Sequence, residues 1–261
     1  MKHLFNRQWW WTTLLVLAAV GVMVRLGVWQ LDRLSQRRAF NARVNAQLAA
    51  PALDLSGAAL GADLTTLEYR SAVVTGRYDF SQQIALRNQA WDDGQATVRA
   101  GVHLLTPLVI EGSSQAVLVD RGWIPLEQSS PEQWAQFDEP GPVTLRGAIR
   151  LSESRADFGS VSDPMGYLQY WNLVNLPRIQ EQMPQLLLPV YIQQTPEQAW
   201  SSLPNRAPLE LDLSEGSHLG YALQWFGFAL VLLAGYPFYV RDTLRGRARA
   251  GSLPLEAASH G

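Results

Sequence analysis

The 261-residue chain contains no cysteine. This absence excludes a disulfide framework, thiol catalysis, cysteine-ligated zinc, iron–sulfur clusters and covalent c-type haem attachment. The P-loop, dinucleotide-binding, zinc-protease and nucleophile-elbow motifs are also missing, and no convergent catalytic set replaces them, so we do not expect an enzyme. The chain has no basic patch suited to nucleic acid, which is therefore not an expected partner.

Charge is missing from two long stretches. Residues 8–31 carry one charged side chain, Arg25, and residues 219–240 carry none. Apart from Arg25, all of the 21 basic and 23 acidic residues lie outside these two stretches. The 47% hydrophobic content therefore describes a mixture of two apolar segments and an ordinarily charged middle.

Both apolar stretches are long enough to cross a bilayer. A helix of ~20 residues, rising ~1.5 Å per residue, spans a hydrocarbon core of about 30 Å. The sequence predicts a first span at 9–31 and a second at 218–240. Tryptophans at Trp9–Trp11 and Trp29 are typical of the two membrane–water boundaries. Arg25 lies near the far end of the first span and can extend its guanidinium to that boundary.

A cleaved signal peptide is the alternative interpretation of the first span. Lys2 and Arg7 precede the apolar stretch, as they would in a signal peptide. No small-residue cleavage site closely follows the apolar core, so an uncleaved anchor is favoured.

Arginines after the second span favour a cytoplasmic C-terminus. The tail 241–261 carries four arginines soon after the span, which the positive-inside rule places in the cytoplasm. Two spans then put residues 1–8 in the cytoplasm and residues 32–217 in the periplasm. Residues 44–217 contain 10 Arg against 20 Asp plus Glu, which is typical of a translocated domain. Residues 32–43 are predicted to form an amphipathic helix on the outer membrane surface.

The short N-terminal segment bears on the kind of membrane. The residues before Trp9 leave no room for a mitochondrial presequence, which favours a bacterial inner membrane with two spans.

The middle of the chain alternates apolar and polar residues in several runs. This period of two predicts strands. We therefore expect the middle of the chain to form a mainly antiparallel sheet or barrel-like domain with one or two short helices. The predicted fold class is a two-span membrane protein with an α+β periplasmic domain. The predicted strands are 69–77, 83–88, 97–110, 116–124, 143–151, 168–173 and 190–194; a turn is predicted at 91–94, a short helix at 175–182 and a linker at 198–216.

Four histidines are the candidate ligands and bases. His3 and His260 lie in the terminal tails, where a solvated side chain is expected. His103 lies on the polar face of a predicted strand, and an ordinary surface histidine is the favoured interpretation. A Ser–His–Asp site using His103 and Asp120 is conceivable.

His218 differs because it lies at the outer mouth of the second span, where an ionisable group is a candidate functional residue. Ala222 and Trp225 follow it on one helical face, which leaves space for a flat apolar ligand. The imidazole can ligate haem iron. The alternative is an interfacial histidine that hydrogen-bonds to lipid headgroups or to Glu215.

A second stripe of the same predicted helix suggests contact between the spans. Small residues and one amide are typical of helix packing in lipid, and Gly21 and Gly27 on the first span are expected to face this stripe. The stripe consists of Gly220, Gln224, Gly227, Val231 and Ala234.

Four short blocks of sequence are distributed along the chain. They are Trp29-Gln30-Leu31 with Arg33; Leu86-Arg87-Asn88; Val119-Asp120-Arg121-Gly122-Trp123-Ile124-Pro125; and His218-Leu219-Gly220-Tyr221-Ala222 before Trp225-Phe226. These blocks and their order resemble the Surfeit locus protein 1 family, and the layout of two spans around one outward-facing domain resembles that family as well.

The resemblance implies a role in cytochrome c oxidase assembly, with haem a bound and assisted into oxidase subunit I. The span histidine of the family falls on His218, the boundary tryptophans fall on Trp29 and Trp225, and Tyr221 lies in the same block. His218 is then the expected iron ligand, with haem a as transient cargo. Oxidase subunit I, the haem a synthase and membrane lipid are the expected partners.

Arginines beside the first span have two interpretations of equal weight. Arg25, Arg33 and Arg37 can pair with haem propionates or with lipid phosphates. The alternative function is a scaffold that holds subunit I or the haem a synthase without haem, through the acidic faces of the domain and an exposed edge at Trp123.

Overall fold

The computed structural model describes residues 9–92, 98–153, 163–197 and 201–250, without the side chains of Ala58 and residues 247–250. The chain divides into two compact units. The helical unit consists of Met1–Ala42 and Leu213–Gly261, and the barrel unit consists of Arg43–Asp212. The predicted termini at 1–8 and beyond residue 250 lie outside the described residues.

Two long helices are apolar enough to cross a membrane. Helix α1 is Trp10–Ala49, and the last helix of the chain, α3, is His218–Ala250. Only 6% and 11% of their most apolar stretches are buried within the protein, whereas the core helix of a soluble protein would be mostly buried. The protein is therefore a membrane protein, because these surfaces need an apolar solvent.

Helix α1 continues well past the predicted first span. Its 40 residues correspond to about 60 Å, roughly twice the thickness of the hydrocarbon core. Residues 32–43 belong to this continuous helix and do not form a separate surface helix. No proline or glycine between residues 28 and 49 interrupts the helix, which accounts for the difference.

The two helices of the helical unit pack antiparallel on a seven-residue repeat. Buried positions in α1 recur at Gly27, Leu34 and Asn41, with Thr13 two repeats earlier. In α3, Ala222 and Ala229 are buried seven residues apart, and Val240, eleven residues further on, is also buried but falls outside the repeat. A repeat of seven keeps one seam of each helix against the other, and small residues allow a close approach.

The small-residue stripe predicted for α3 does not form this seam. Gly220 and Gly227 are exposed, Val231 is 71% exposed, and a Cβ added to either glycine would meet nothing within 4 Å. Gln224 and Ala234 are exposed as well. On the first span Gly21 is also open. Gly27 does pack on α3, where a Cβ would lie 2.6 Å from the Phe226 ring, but Phe226 does not belong to the predicted stripe, so the expected partner was wrong.

The barrel unit contains eight strands and one short helix among the described residues. Short 3₁₀ turns connect several of them. The elements are β1 (Leu53–Asp54), β2 (Ser71–Tyr78), β3 (Ile84–Asp92), β4 (Val98–Ile110), β5 (Gln115–Pro125), β6 (Pro142–Leu151), β7 (Tyr170–Trp171), α2 (Leu176–Gln180) and β8 (Leu186–Gln194).

Five strands close into a barrel. The sheet order is β1-β2-β6-β8-β5-β4-β3-β7, and an additional pairing between β2 and β4 closes the ring. Among the described strands, β5–β8, β1–β2 and β3–β7 pair in parallel and the other pairs are antiparallel. The predicted mainly antiparallel, barrel-like domain is confirmed.

The central strand β5 is covered on both faces. Val117 and Val119 pack into one buried cluster with β2, β6 and β8, while Ala116 and Leu118 pack on the other side with α2 and β7. A strand buried on both faces is typically a continuous apolar run, as Ala116–Val119 is; Asp120 and Arg121 then interrupt the run as buried polar residues.

The seven predicted strands all exist, but several ends differ. β3 is longer and takes up Trp91 and Asp92 of the predicted turn, while residues 93–94 lie outside the described part of the chain. β8 begins earlier than predicted because Leu187 and Leu188 are core residues. The run 168–173 forms only a two-residue strand.

The predicted linker 198–216 is partly fixed to the barrel. Asn205 exchanges two backbone hydrogen bonds with Trp123, of 2.8 and 2.7 Å. Gly122 permits this contact, since its φ is +118° and a Cβ there would lie 2.3 Å from the Asn205 carbonyl oxygen. Residues 198–200 lie outside the described residues.

Candidate functional site

His218 begins helix α3 and faces helix α1. Its imidazole is half-buried, and its Nδ1 lies 2.8 Å from Oε1 of Gln30. No hydrogen bond at its Nε2 is found among the described residues. A Cβ placed on Gly216 would lie 3.7 Å from Nε2, so a residue without a side chain borders this nitrogen. One ring nitrogen is therefore held and the other is left uncovered.

The segment before α3 is held against α1 by three consecutive contacts. Asn41 Nδ2 donates to the Leu213 carbonyl at 2.6 Å, and Arg37 Nε donates to the Ser214 carbonyl at 2.9 Å. Arg38 makes a two-pronged ion pair with Glu215, at 2.8 Å for each hydrogen bond. These contacts set the register in which α3 begins, and thereby the position of His218 beside Gln30.

The interpretation in which His218 pairs with Glu215 is wrong. The Glu215 carboxylate is engaged by Arg38, and this hydrogen bond lowers the pKa of Glu215. His218 takes an uncharged partner instead.

Polar contacts join the two helices at both ends of the apolar stretch. Near one end the Tyr236 hydroxyl lies 3.0 and 2.8 Å from the hydroxyls of Thr12 and Thr13. At the other end stands the His218–Gln30 contact. The 17 residues from Thr13 to Gln30 correspond to about 26 Å along the helix, close to the thickness of a hydrocarbon core. His218 therefore lies where a bilayer boundary would fall.

Two further predicted site residues lie on α3. Trp225 is half-buried two turns after His218 and packs edge-on to Phe228, with ring centroids 6.2 Å apart. Tyr221 is 50% exposed. Ala222, which was expected to leave space for a ligand, is completely buried in the helix seam. A flat ligand cannot use that space.

Trp29 and Arg25 are not brought together with His218. Each is two residues from Gly27, which turns it about 200° away from the face that packs on α3. Both are exposed, and the Arg33 guanidinium lies over the Trp29 ring at 5.6 Å. These residues face outward from the helix pair, as side chains at a membrane boundary do.

Gln30 was not predicted as a site residue. It appears in the sequence only as part of the Trp29-Gln30-Leu31 block. The signal that could have identified it is an uncharged polar side chain three residues after Gly27, on the face of the first span that carries the glycine. Its partner lies 188 residues away, which no local pattern reveals.

His103 is not the surface histidine that was favoured. Its Nδ1 lies 2.8 Å from Oδ2 of Asp120, and the two side chains are only 21% and 8% exposed. The other oxygen of Asp120 accepts the Gly122 backbone N–H at 3.0 Å. The histidine and aspartate of the conceivable Ser–His–Asp site are thus in contact, but no serine hydroxyl bonds to His103 among the described residues.

Strand β5, which carries Asp120, also carries a completely buried cation, Arg121. The Arg121 guanidinium donates to Gln83 at 2.9 Å, to Glu139 at 3.0 Å and to the Phe137 carbonyl. The rings of Tyr78 and Phe80 lie 5.0 and 5.1 Å from it. Arg206, also buried, shares the Glu139 carboxylate at 2.8 Å.

The expected exposed edge at Trp123 is wrong. Trp123 is 1% exposed, stacks on Trp91 with ring centroids 6.0 Å apart and lies beneath the Arg99 guanidinium. Trp123 and Asp120 are therefore buried in side-chain contacts within the barrel unit and do not form an exposed docking edge.

No group of three or more His, Cys, Asp or Glu side chains arranged for a metal ion occurs within the described ranges. Any iron contact proposed at the helix pair therefore rests on the one imidazole of His218.

Comparison with known proteins gives consistent matches over most of the chain. A sequence model of the SURF1 family matches residues 17–230. A SURF1-like protein of Monosiga brevicollis is 27% identical over 87% of this chain and 85% of its own length. A SURF1-like protein of Rickettsia felis is 27% identical over 88% of this chain and 97% of its own length. Surfeit locus protein 1 of Rattus norvegicus is 28% identical over 56% of this chain and 50% of its own length.

Proposed function

Because the chain belongs to the SURF1 family, we propose that it is a membrane-bound assembly factor for cytochrome c oxidase that binds haem a and assists its insertion into oxidase subunit I. The two apolar helices and the barrel unit support this proposal as an arrangement of membrane anchor and folded domain. The observation that carries it is the His218 imidazole, which is half-buried at the end of the apolar stretch with one nitrogen held and the other uncovered.

The residues present fit haem as a cargo. A neutral imidazole ligates iron through one nitrogen while the other donates a hydrogen bond, and His218 has this arrangement available with Gln30. Apolar surface for the porphyrin is supplied by the lipid-facing side of the pair, including Trp225 and Tyr221, rather than by the buried Ala222. When bound, haem a would supply an iron ion that accepts the lone pair of His218 Nε2. A single protein ligand suits a cargo that must be released.

The arginines of α1 fall into two groups by what they contact, and Arg37 belongs to the group that holds the helices together. Arg37 and Arg38 are engaged with Ser214 and Glu215 and hold the helix pair together. Arg25 and Arg33 are exposed on the outward face with Trp29, where lipid phosphates are the more accessible anions. We propose lipid contact for Arg25 and Arg33.

An absorption spectrum tests the haem proposal. We expect the full-length protein, purified in detergent from cells that make haem a, to show a Soret band that His218→Gly loses and that added imidazole restores. His3→Ala is the matched histidine control and should keep the band. An equally intense band in His218→Gly without imidazole would contradict iron ligation by His218.

The alternative function, a scaffold without haem, loses one of its two supports because the proposed edge at Trp123 is buried. The excess of acidic over basic residues in 44–217 still favours a protein-binding surface. Capture of oxidase subunit I or of the haem a synthase from cells unable to make haem a separates the two functions. Persistent capture by a pigment-free protein would support the scaffold, and capture that requires haem a would support delivery.

We also propose the bacterial inner membrane as the location, with the barrel unit in the periplasm and both termini in the cytoplasm. The chain has no cysteine, so single cysteines report sidedness cleanly. A cysteine at Met165, which is 84% exposed, should react with a membrane-impermeant maleimide added to intact spheroplasts. A cysteine at Gly246 should react only after the membrane is opened.

A further inference from the structure

We propose that Gln30 is a positioning residue for His218: its Oε1 accepts the Nδ1–H, which fixes the tautomer that leaves a lone pair on Nε2. The part of this inference that concerns iron ligation rests on the proposed haem-binding function. The tautomer itself is a property of the protein without haem.

The two tautomers of a neutral imidazole have opposite consequences. With the proton on Nδ1, Nε2 is an acceptor able to ligate a metal, and with the proton on Nε2 it is not. The hydrogen bond at the other nitrogen decides between them. Gln30 Oε1 stands 2.8 Å from Nδ1 and no other hydrogen bond to the ring is found in the described chain, so the choice falls to Gln30.

Packing on both sides holds Gln30 in place. One turn earlier Gly27 lies against the Phe226 ring, so closely that an added Cβ would be 2.6 Å from the ring. On the other side the contacts of Arg37, Arg38 and Asn41 with residues 213–215 fix the start of α3. Gln30 thus meets His218 in a defined register across the seam.

The choice of an amide rather than a carboxylate has a chemical consequence. A carboxylate partner makes a ligating histidine more basic and strengthens its bond to the metal. A neutral amide oxygen orients the ring with a smaller increase in basicity. Gln30 therefore suits a histidine that holds iron and later gives it up.

Nitrogen NMR on the haem-free, full-length protein in detergent tests the tautomer directly. With ¹⁵N-labelled histidine, and the His218 signals identified by their loss in His218→Ala, we expect the proton on Nδ1. In Gln30→Leu the proton should redistribute toward Nε2. Gln224→Leu, the same change at an exposed glutamine of α3, should leave the His218 signals unchanged. A proton on Nε2 in the unaltered protein, or no change in Gln30→Leu, would overturn the inference.

Resonance Raman spectra of the ferrous haem-loaded protein provide the second readout. We expect Gln30→Glu to raise the iron–histidine stretching frequency and to slow haem release, and Gln30→Leu to lower the frequency and weaken haem affinity by about tenfold or more. Identical frequencies in both variants and the unaltered protein would refute a positioning role. A protein that takes up no haem at all would refute the proposed function, while the NMR result would still decide the role of Gln30.

Discussion

His103 and Asp120 form an ion pair inside the barrel unit that couples stability to pH. Burial of His103 opposes its protonation, but attraction to the Asp120 carboxylate and their hydrogen bond outweigh this and raise the pKa of His103. The folded state therefore holds the proton more tightly than the unfolded chain, whose histidine pKa is about 6.5. The stabilisation is complete below that pH and is lost as the pH rises through the raised pKa.

Urea unfolding of the full-length protein in detergent, measured from pH 5.5 to 9 by tryptophan fluorescence, should show this loss. We expect His103→Gln to remove the pH dependence, because glutamine keeps a hydrogen-bond donor near Asp120 but does not titrate. An unchanged pH dependence in His103→Gln would assign the titration to another group.

Arg121 is expected to be the most sensitive charged residue of the barrel unit. Replacement by glutamine removes a completely buried cation and takes the guanidinium donor from the Phe137 carbonyl, while Gln83 Oε1 keeps its hydrogen bond from the Thr106 hydroxyl. Breaking a buried ion pair typically costs about 3–5 kcal/mol of the free energy of unfolding. Arg146→Gln, on the exposed side of β6, should change it by less than about 0.5 kcal/mol. Equal stability of the two variants in chemical denaturation would rule out a structural role for the buried guanidinium.

Lysine at position 121 gives an intermediate expectation. It retains the charge but lacks the planar fork that reaches three acceptors between the Tyr78 and Phe80 rings. A stability equal to that of the unaltered protein would show that charge alone is sufficient.

Among the elements, the helix pair depends on the close approach at Gly27. In Gly27→Val the new Cβ would lie 2.6 Å from the Phe226 ring, so the helices must separate or the ring must move. Overpacking of this kind costs about 1–3 kcal/mol. Gly21→Val, with nothing within 4 Å, is the matched control.

Thermal unfolding in detergent should show a lower midpoint for Gly27→Val than for Gly21→Val. Adding Phe226→Ala to Gly27→Val should recover part of the difference, because it removes the clashing ring. If the two valine variants have the same unfolding midpoint, the contact surface between the helices does not pass through Gly27.

The helices could be predicted from the sequence, but the seam between them could not. Length and hydropathy identify a span without specifying which face meets a neighbour. Gly220 and Gly227 formed a plausible stripe, yet the structure uses Ala222 and Ala229, and both patterns have the same spacing of seven. Only the partner helix distinguishes them. No signal in the local sequence marks the contact that Gln30 makes with His218, for the same reason. His218 could be predicted as a candidate because an ionisable group at the end of an apolar stretch is visible in the local sequence.

The strands were predictable where alternation marks one buried face, and less so elsewhere. The predicted strand 190–194 missed the first four residues of β8, three leucines and a proline, because this run does not alternate between apolar and polar side chains. His103 was assigned to the surface because its strand alternates, but the buried carboxylate it meets belongs to the neighbouring strand β5. Cross-strand pairing is information that one strand does not contain.

At the scale of the whole molecule, the barrel unit contains its entire core. All three buried apolar clusters lie between Leu55 and Ile192, and the closed ring of five strands lies between Ser71 and Gln194. Residues 43–212 are therefore expected to fold without the spans. Circular dichroism should show a sheet-rich protein with a cooperative thermal transition, and a gradual transition would contradict an independent core.

The barrel unit alone can also distinguish haem delivery from the scaffold function, because it contains neither His218 nor Gln30. We expect residues 43–212, expressed without the spans, to bind no haem a, while the full-length protein shows the His218-dependent Soret band. If haem delivery is the function, addition of the unit alone to cells that lack the full-length protein should leave oxidase without haem a in subunit I. Restoration of haem-containing oxidase by the unit alone would instead place the function in the barrel, and the helix pair would then serve as an anchor.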